Sequence, residues 1–180
     1  MTPLLRLLPR ISEVKGQADW KAHCLPDLRV LPREFRVGAP AEIPAAASHG
    51  DAVAAIAFHA GFRSVSSDTV RFSSPLGRVN LHYSNISHIA EKRADARERY
   101  VKMALDTLTG PFEVWEVAFT DGGFRLAYIG CYESKRQMLV SVAQRNGLTL
   151  WNFMHCDAKS LNKHRHGTLL YRRYSALDSQ

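Results

Sequence analysis

Cysteine is nearly absent from this chain. Cys24, Cys131 and Cys156 lie far apart and are odd in number, so they build neither a disulfide framework nor a CxxC metal motif. Reduced structural thiols are the expectation, and with them a reducing cytoplasm as the place of work. Long apolar runs are missing too: none approaches the roughly 18 residues that span a bilayer. The leucines of the first ten residues are interrupted by Arg6 and Pro9, too short and broken a stretch for a signal peptide. No membrane partner is expected, and no cleaved leader as a route of export.

Metal and phosphate-loop motifs are lacking as well. There is no HExxH, GxxxxGK[ST] or GxSxG, and no acidic cluster of the kind that holds two magnesium ions. An enzyme of nucleic acid built from this sequence is therefore expected to work without metal or other cofactor. RNA permits this, because its 2′-hydroxyl is a built-in nucleophile and the protein need supply only a base, an acid and cations. DNA lacks that hydroxyl, so metal independence points to RNA.

What the chain has is positive charge. Lys and Arg number 24 against 17 Asp and Glu, a net +7, which favours nucleic acid, anionic lipid or an acidic protein as partner. A soluble basic protein with no such partner is the plainer alternative. An apolar content of 46% excludes a disordered chain on composition. The 180 residues suffice for one core, or a core with a small accessory unit.

Residues 1–47 carry little periodicity and four prolines between Pro26 and Pro44, and read as a loosely structured arm or linker, with one short strand at 28–31. Asp51 caps a helix ending near Phe58, stopped by Gly61. The alternating segments 69–72 and 78–83 flank a Ser74-Pro75-Leu76-Gly77 turn and form a hairpin, so 48–83 is an accessory helix plus hairpin. Residues 84–180 make the main unit. A helix capped by Ser84 or Ser87 runs to about Leu108, ended by Thr109-Gly110-Pro111. Strands at 112–119, 124–129, 138–143 and 148–154 follow, with Asp121-Gly122 and Asn146-Gly147 as hairpin turns, and 168–174 is a fifth, edge strand. The class is α+β: a helix on a four- or five-stranded antiparallel meander.

Several residues could carry chemistry. His88, in the first turn of the long helix, shares a face with Lys92 and Arg99 and could move protons near neutral pH; it could equally be incidental on a solvated face. Arg97 lies on the apolar stripe of Ile89, Tyr100 and Ala104. It is either salt-bridged to Glu113 or Glu116, or a phosphate clamp. From Lys159 to Arg173 no acid occurs, and Lys159, Lys163, His164, Arg165 and His166 form the densest cationic stretch. Such a run is commonly a solvated face, but here it carries two histidines beside Asn162, which could orient a hydroxyl or base edge. Lys135 and Arg136, in the turn before the third meander strand, could share its rim. Asn152 alternates with Trp151 and Phe153, and so faces the open side of the sheet.

Taken in order, His88, Arg97, Tyr100, the Thr-Gly-Pro-Phe-Glu-Val-Trp run 109–115, the Leu-Trp-Asn-Phe run 150–153 and the stretch 161–171 resemble a phage- and prophage-associated domain. That domain often ends Mu-like F head-morphogenesis proteins and is grouped with the barnase–EndoU–colicin–RelE nuclease superfamily. The resemblance implies a metal-independent, toxin-like RNase delivered by phage particles, phage-like tails or secretion systems into a target-cell cytoplasm. It maps a family histidine onto His88, a helical arginine onto Arg97, and further motif positions onto Asn152, Asn162, Arg165 and Gly167. The chain lacks a head-assembly region of F-type size, and so looks like a stand-alone effector.

On this basis RNA, with tRNA a candidate, is the expected substrate. His88, Arg97, Lys135, Asn152, Asn162 and Arg165 are the expected catalytic set; Lys92, Arg99, Arg136, Lys159, Lys163, His164 and His166 hold RNA, one of the last two histidines being a candidate second proton carrier. His88 and Arg165 are expected to meet over one groove. An acidic immunity protein is a partner by analogy. The rival readings are a non-catalytic nucleic-acid or phage-assembly module on the same fold, and a toxin that modifies a host protein.

Overall fold

The structure, a computed structural model, describes residues 9–63 and 68–174; most of the leucine-bearing start of the chain lies outside them. Four helices, α1 (His49–Ala60), α2 (Tyr83–Ala90), α3 (Val101–Thr109) and α4 (Ala158–Asn162), accompany seven strands: β1 (Thr69–Ser74), β2 (Gly77–His82), β3 (Glu113–Ala118), β4 (Phe124–Gly130), β5 (Gln137–Gln144), β6 (Leu148–Cys156) and β7 (Thr168–Arg172). The class is α+β, as expected. All seven strands join one sheet in the order β1-β2-β6-β5-β4-β3-β7.

The meander β3–β6 follows from its turns. Asn146 and Gly147 both take positive φ, 50° and 98°, as a tight hairpin between β5 and β6 requires. Strand β7 pairs antiparallel with β3 at the edge. The sheet is nevertheless mixed rather than purely antiparallel. The β1–β2 hairpin adds to it through a parallel pairing of β2 with β6, limited to Val79 opposite Leu148 and Asn80 opposite Thr149. Beyond that point β2 has no further ladder on β6, and the second half of β6 meets α2 and the segment after it.

Each face of the sheet carries a core. On one, Val114, Leu126, Tyr128, Val140 and Leu150 pack against Ile56 of α1, Ile86 and Ile89 of α2, and Ala104 and Leu108 of α3. On the other, Trp115, Val117, Ile129 and Leu139 pack against Leu25, Leu28 and Leu31 of the arm and Leu161 of α4. The described part of the arm, residues 9–47, is therefore part of the fold, not the loose segment its prolines suggest. Its expected strand is instead a 3₁₀ turn, Leu28–Val30, capped by Asp27, and isolated bridges join Glu13 to Phe119, Asp19 to His166 and Val37 to Tyr132. Helix α1 starts at Ser48, whose hydroxyl accepts from Asp51 N, and closes on Gly61 at φ 95°.

The expected long helix is broken. Helix α2 begins at Tyr83, with no side-chain cap from His82, and stops at Ala90; two 3₁₀ turns, Arg93–Asp95 and Arg97–Tyr100, precede α3. Ala96 between them sits at φ 43°, ψ 51°, a left-handed conformation that costs a non-glycine residue about 1–2 kcal/mol. Buried Glu98 holds the kink: it accepts two hydrogen bonds from Arg93 at 2.9 Å and one from Ala46 N at 2.9 Å. Burial would raise the Glu98 carboxyl, but Arg93 and the backbone donors outweigh it and hold the carboxyl below its usual range.

Candidate active site

The break re-aims the residues it separates. His88 lies in the last turn of α2, not the first turn of a long helix, and Arg97 opens the second 3₁₀ turn. Both face one short stretch of β6. Pairing with β5 runs Leu150 opposite Val142 and Asn152 opposite Ser141, so Trp151 is an extra, bulged residue. Leu150 and Phe153, three apart, consequently both enter the same core, and the simple alternation expected for Asn152 does not hold. Bulges commonly redirect side chains next to active sites. Here they leave Trp151 and Asn152 as consecutive residues with partners from the segment 83–100.

Asn85, in the first turn of α2, donates to the carbonyls of Leu150 and Trp151 at 2.8 and 3.0 Å and fastens the helix to the bulge. One turn on, the His88 ring stands 5.2 Å from the Trp151 ring. Its Nδ1 is 3.4 Å from Glu91 Oε2, and the side chain is 45% exposed. A contact from Nδ1 to a carboxylate leaves the other ring nitrogen to face a substrate.

Arg97 is buried, with 5% of its surface exposed. It donates from Nη1 to Asn152 Oδ1 at 2.6 Å and from Nη2 to Asp95 Oδ2 at 3.2 Å; these partners, rather than Glu113 or Glu116, hold it. Its Nε–H has no partner. Asn152 Oδ1 also accepts from Phe153 N at 2.8 Å, which orients the amide toward Arg97. Further along β6, His155 Nε2 contacts the Asp95 carbonyl at 3.0 Å and its ring lies 4.1 Å from that of Tyr100. Because a carbonyl only accepts, that nitrogen carries the proton, and Nδ1 is left buried without a partner. Sequence reasoning overlooked Asn85, Glu91, Asp95 and His155. The spacing of Asn85, His88 and Glu91, one helical turn apart each time, was the signal for two of them.

The rest of the expected set lies elsewhere. Arg165 is fully buried against β3, on the face opposite α2. Its Nε and Nη2 grip the Glu113 carboxylate at 2.8 and 2.7 Å, and its Nη1 donates to the Pro26 carbonyl and to Asn162 Oδ1, both at 2.9 Å. Asn162 in turn donates to Asp27 at 2.7 Å. These two residues lock the arm to the sheet, and no surface remains on Arg165 to meet a substrate. From β6 to β3 is three strand spacings, about 14 Å, with the sheet itself between the two groups. The expectation that His88 and Arg165 share a groove fails.

His164 and His166 are also on that second face. His164 lines a cavity of about 250 Å³ with Glu13, Ser141 and Met154, and burial holds its imidazole below the ordinary value. His166 is bound to Glu13 at 2.7 Å and to the Lys163 carbonyl at 3.0 Å. Neither can serve as a proton carrier beside His88. Lys135 and Arg136 are exposed in the β4–β5 turn, Lys92 is exposed after α2, and Lys159 and Lys163 are exposed on and after α4. Arg99 is paired with Glu42 at 2.7 Å. His88, Arg97 and Asn152 are thus the expected catalytic residues that the fold brings together.

One family model, described as phage-Barnase-EndoU-ColicinE5/D-RelE like nuclease2, matches residues 57–172. The chain belongs to this nuclease family. No curated protein matches it, and neither does any solved structure. The family span runs from within α1 to the end of β7, and so contains the α2–β6 site, the buried Arg165–Glu113 pair and the whole sheet. It leaves out the arm that Arg165 anchors.

Proposed function

We propose that this family member is a metal-independent ribonuclease whose site lies where α2 and the broken segment meet the β6 bulge. One observation carries the reading: Trp151 and Asn152, adjacent on one bulge, receive an exposed imidazole and a buried guanidinium, the two kinds of group that RNA transesterification needs. His88 takes the proton of the 2′-hydroxyl, the 2′-oxygen attacks phosphorus, and the P–O5′ bond breaks. The products are a 2′,3′-cyclic phosphate and a 5′-hydroxyl whose proton comes from solvent. Glu91 steadies the imidazolium that forms. Arg97, fixed by Asn152 and Asp95, supplies positive charge in place before the phosphorane develops, and Trp151 offers an aromatic face to a base.

The substrate class is RNA, tRNA among the candidates, because only RNA brings its own nucleophile. The net charge of +7 suits it. A toxin role, delivery into a target cell and neutralisation by an acidic immunity protein belong to the same reading, supported by the family's phage association and the basic charge.

The test is digestion of total tRNA by the purified chain in EDTA, with product ends determined by mass spectrometry. Cleavage to cyclic phosphates is expected, about 10²–10⁴-fold slower in His88→Ala and about 10²–10³-fold slower in Arg97→Lys, with DNA untouched. Intact RNA in the presence of folded protein would sink the proposal, as would a fully active His88→Ala.

A further inference from the structure

The arm and α4 border a second cavity, an open one of about 290 Å³, on the face away from α2. Trp20, Lys21, Arg29, Lys159 and Lys163 line it, with Asp19 as the one carboxylate among the lining residues. Arg29 is bound to Asp27 at 2.6 Å, so the uncommitted charge is that of three lysines. Asp157, at the start of α4, feels Lys159 and Lys163 without forming an ion pair with either. Asp19 is turned to its own backbone, accepting from Lys21 N and Ala22 N at 3.1 and 3.0 Å. The Lys21 ammonium stands 5.4 Å from the Trp20 ring centre, which puts a cation beside an aromatic face.

The two walls are far apart in sequence yet rigidly joined. Asp27 on one wall accepts from Asn162 on the other, and Arg165 clamps Asn162 and the Pro26 carbonyl to buried Glu113. The backbone segments that carry the three lysines are therefore held together before anything binds, so ordering on binding falls mainly on the lysine side chains, at about 0.5–1.5 kcal/mol each. Lysines act on phosphate as point charges; the buried Arg165 guanidinium also lies 5.4 Å from the Trp20 ring centre, so a base that stacks on this ring displaces the Lys21 ammonium. At about 30 Å³ per water, the cavity has room for roughly ten waters, more than a lone phosphate occupies.

We propose that this cavity docks a phosphate and its attached nucleoside from a single-stranded RNA whose scissile bond lies at the α2–β6 site. It rests on the proposed function for the class of ligand and the place of the scissile bond, and needs none of the His88 chemistry. The end of β6 connects the two places, since His155 of the first site is three residues from Ala158 of α4. A strand crossing that end of the sheet reaches both.

Fluorescence anisotropy with a short 2′-O-methyl RNA tests this, because that RNA cannot be cleaved by 2′ attack and its binding is blind to failure of the chemistry. In Lys21→Gln/Lys159→Gln/Lys163→Gln, binding should weaken at least tenfold, and the slope of log affinity against log salt should fall by about 0.7, the value for one lost phosphate contact. Single variants should each weaken binding by a smaller factor, while Lys102→Gln on α3 should leave it unchanged. An unaltered slope in the triple variant overturns the proposal. So does displacement of the RNA by poly-glutamate at matched charge, which would reassign the cavity to an acidic protein.

Discussion

Replacing Arg165 by methionine separates an anchoring role from a catalytic one. The side chain makes four hydrogen bonds at 2.7–2.9 Å, two of them to the carboxylate of Glu113, which is itself 1% exposed. Methionine fills much of the space but leaves that carboxylate buried with only Trp115 Nε1, at 2.8 Å, as a side-chain partner. Breaking one side of a buried ion pair costs about 3–5 kcal/mol. At about 2–4 °C per kcal/mol for a chain of this size, the melting temperature should fall by about 12 °C. Removing both charges in Arg165→Met/Glu113→Leu should restore most of that loss, leaving about 1–2 kcal/mol for the unpaired Trp115 and Asn162 groups. Thermal and urea melts followed by circular dichroism measure these values. RNA cleavage by the folded single variant, assayed well below its melting temperature, should match the parent. A loss under about 1 kcal/mol would refute the anchoring role, and a stable variant with at least a hundredfold lower turnover would return Arg165 to the catalytic set.

Two further outcomes follow from the same face. Burial holds the His164 imidazole low, so the unfolded chain, near 6.5, takes up the proton first. The stability His164 contributes is complete above that pH and declines as pH falls toward the folded value; His164→Gln should flatten the melting temperature between about pH 7 and 5, and an unchanged pH slope would count against it. Gly167 has φ 100°, and a Cβ there would overlap the Glu116 carbonyl, where β3 pairs with β7. Gly167→Ala should lose at least about 1–2 kcal/mol from its left-handed backbone alone, read as a lower urea midpoint; an unmoved midpoint would refute this.

The meander was legible because its information is local: alternating strands joined by Asp-Gly and Asn-Gly turns have few other solutions. The arrangement of the site was not. Nothing between Glu91 and Tyr100 announces a helix break, since the stretch has neither glycine nor proline, and the kink is imposed by Arg93, Glu98 and Ala46 meeting in three dimensions. The Trp151 bulge is likewise a property of the β5–β6 register and invisible in β6 alone. The cationic run 159–168 misled differently. Its charge density reads as surface, and it is surface at Lys159 and Lys163, but the partner that draws Arg165 inside is Glu113, 52 residues earlier. His88, Arg97 and Asn152 were found on residue type and resemblance; their meeting depended on the kink and the bulge.

The clasp between Pro26 and Arg165 spans 139 residues, so the arm is fastened by the segment just before β7. During synthesis the arm emerges from the ribosome long before the guanidinium that holds it. Helix α2 likewise waits for the β6 bulge on which Asn85 settles. The final architecture therefore assembles late, with slow closure of long loops expected to dominate its folding rate.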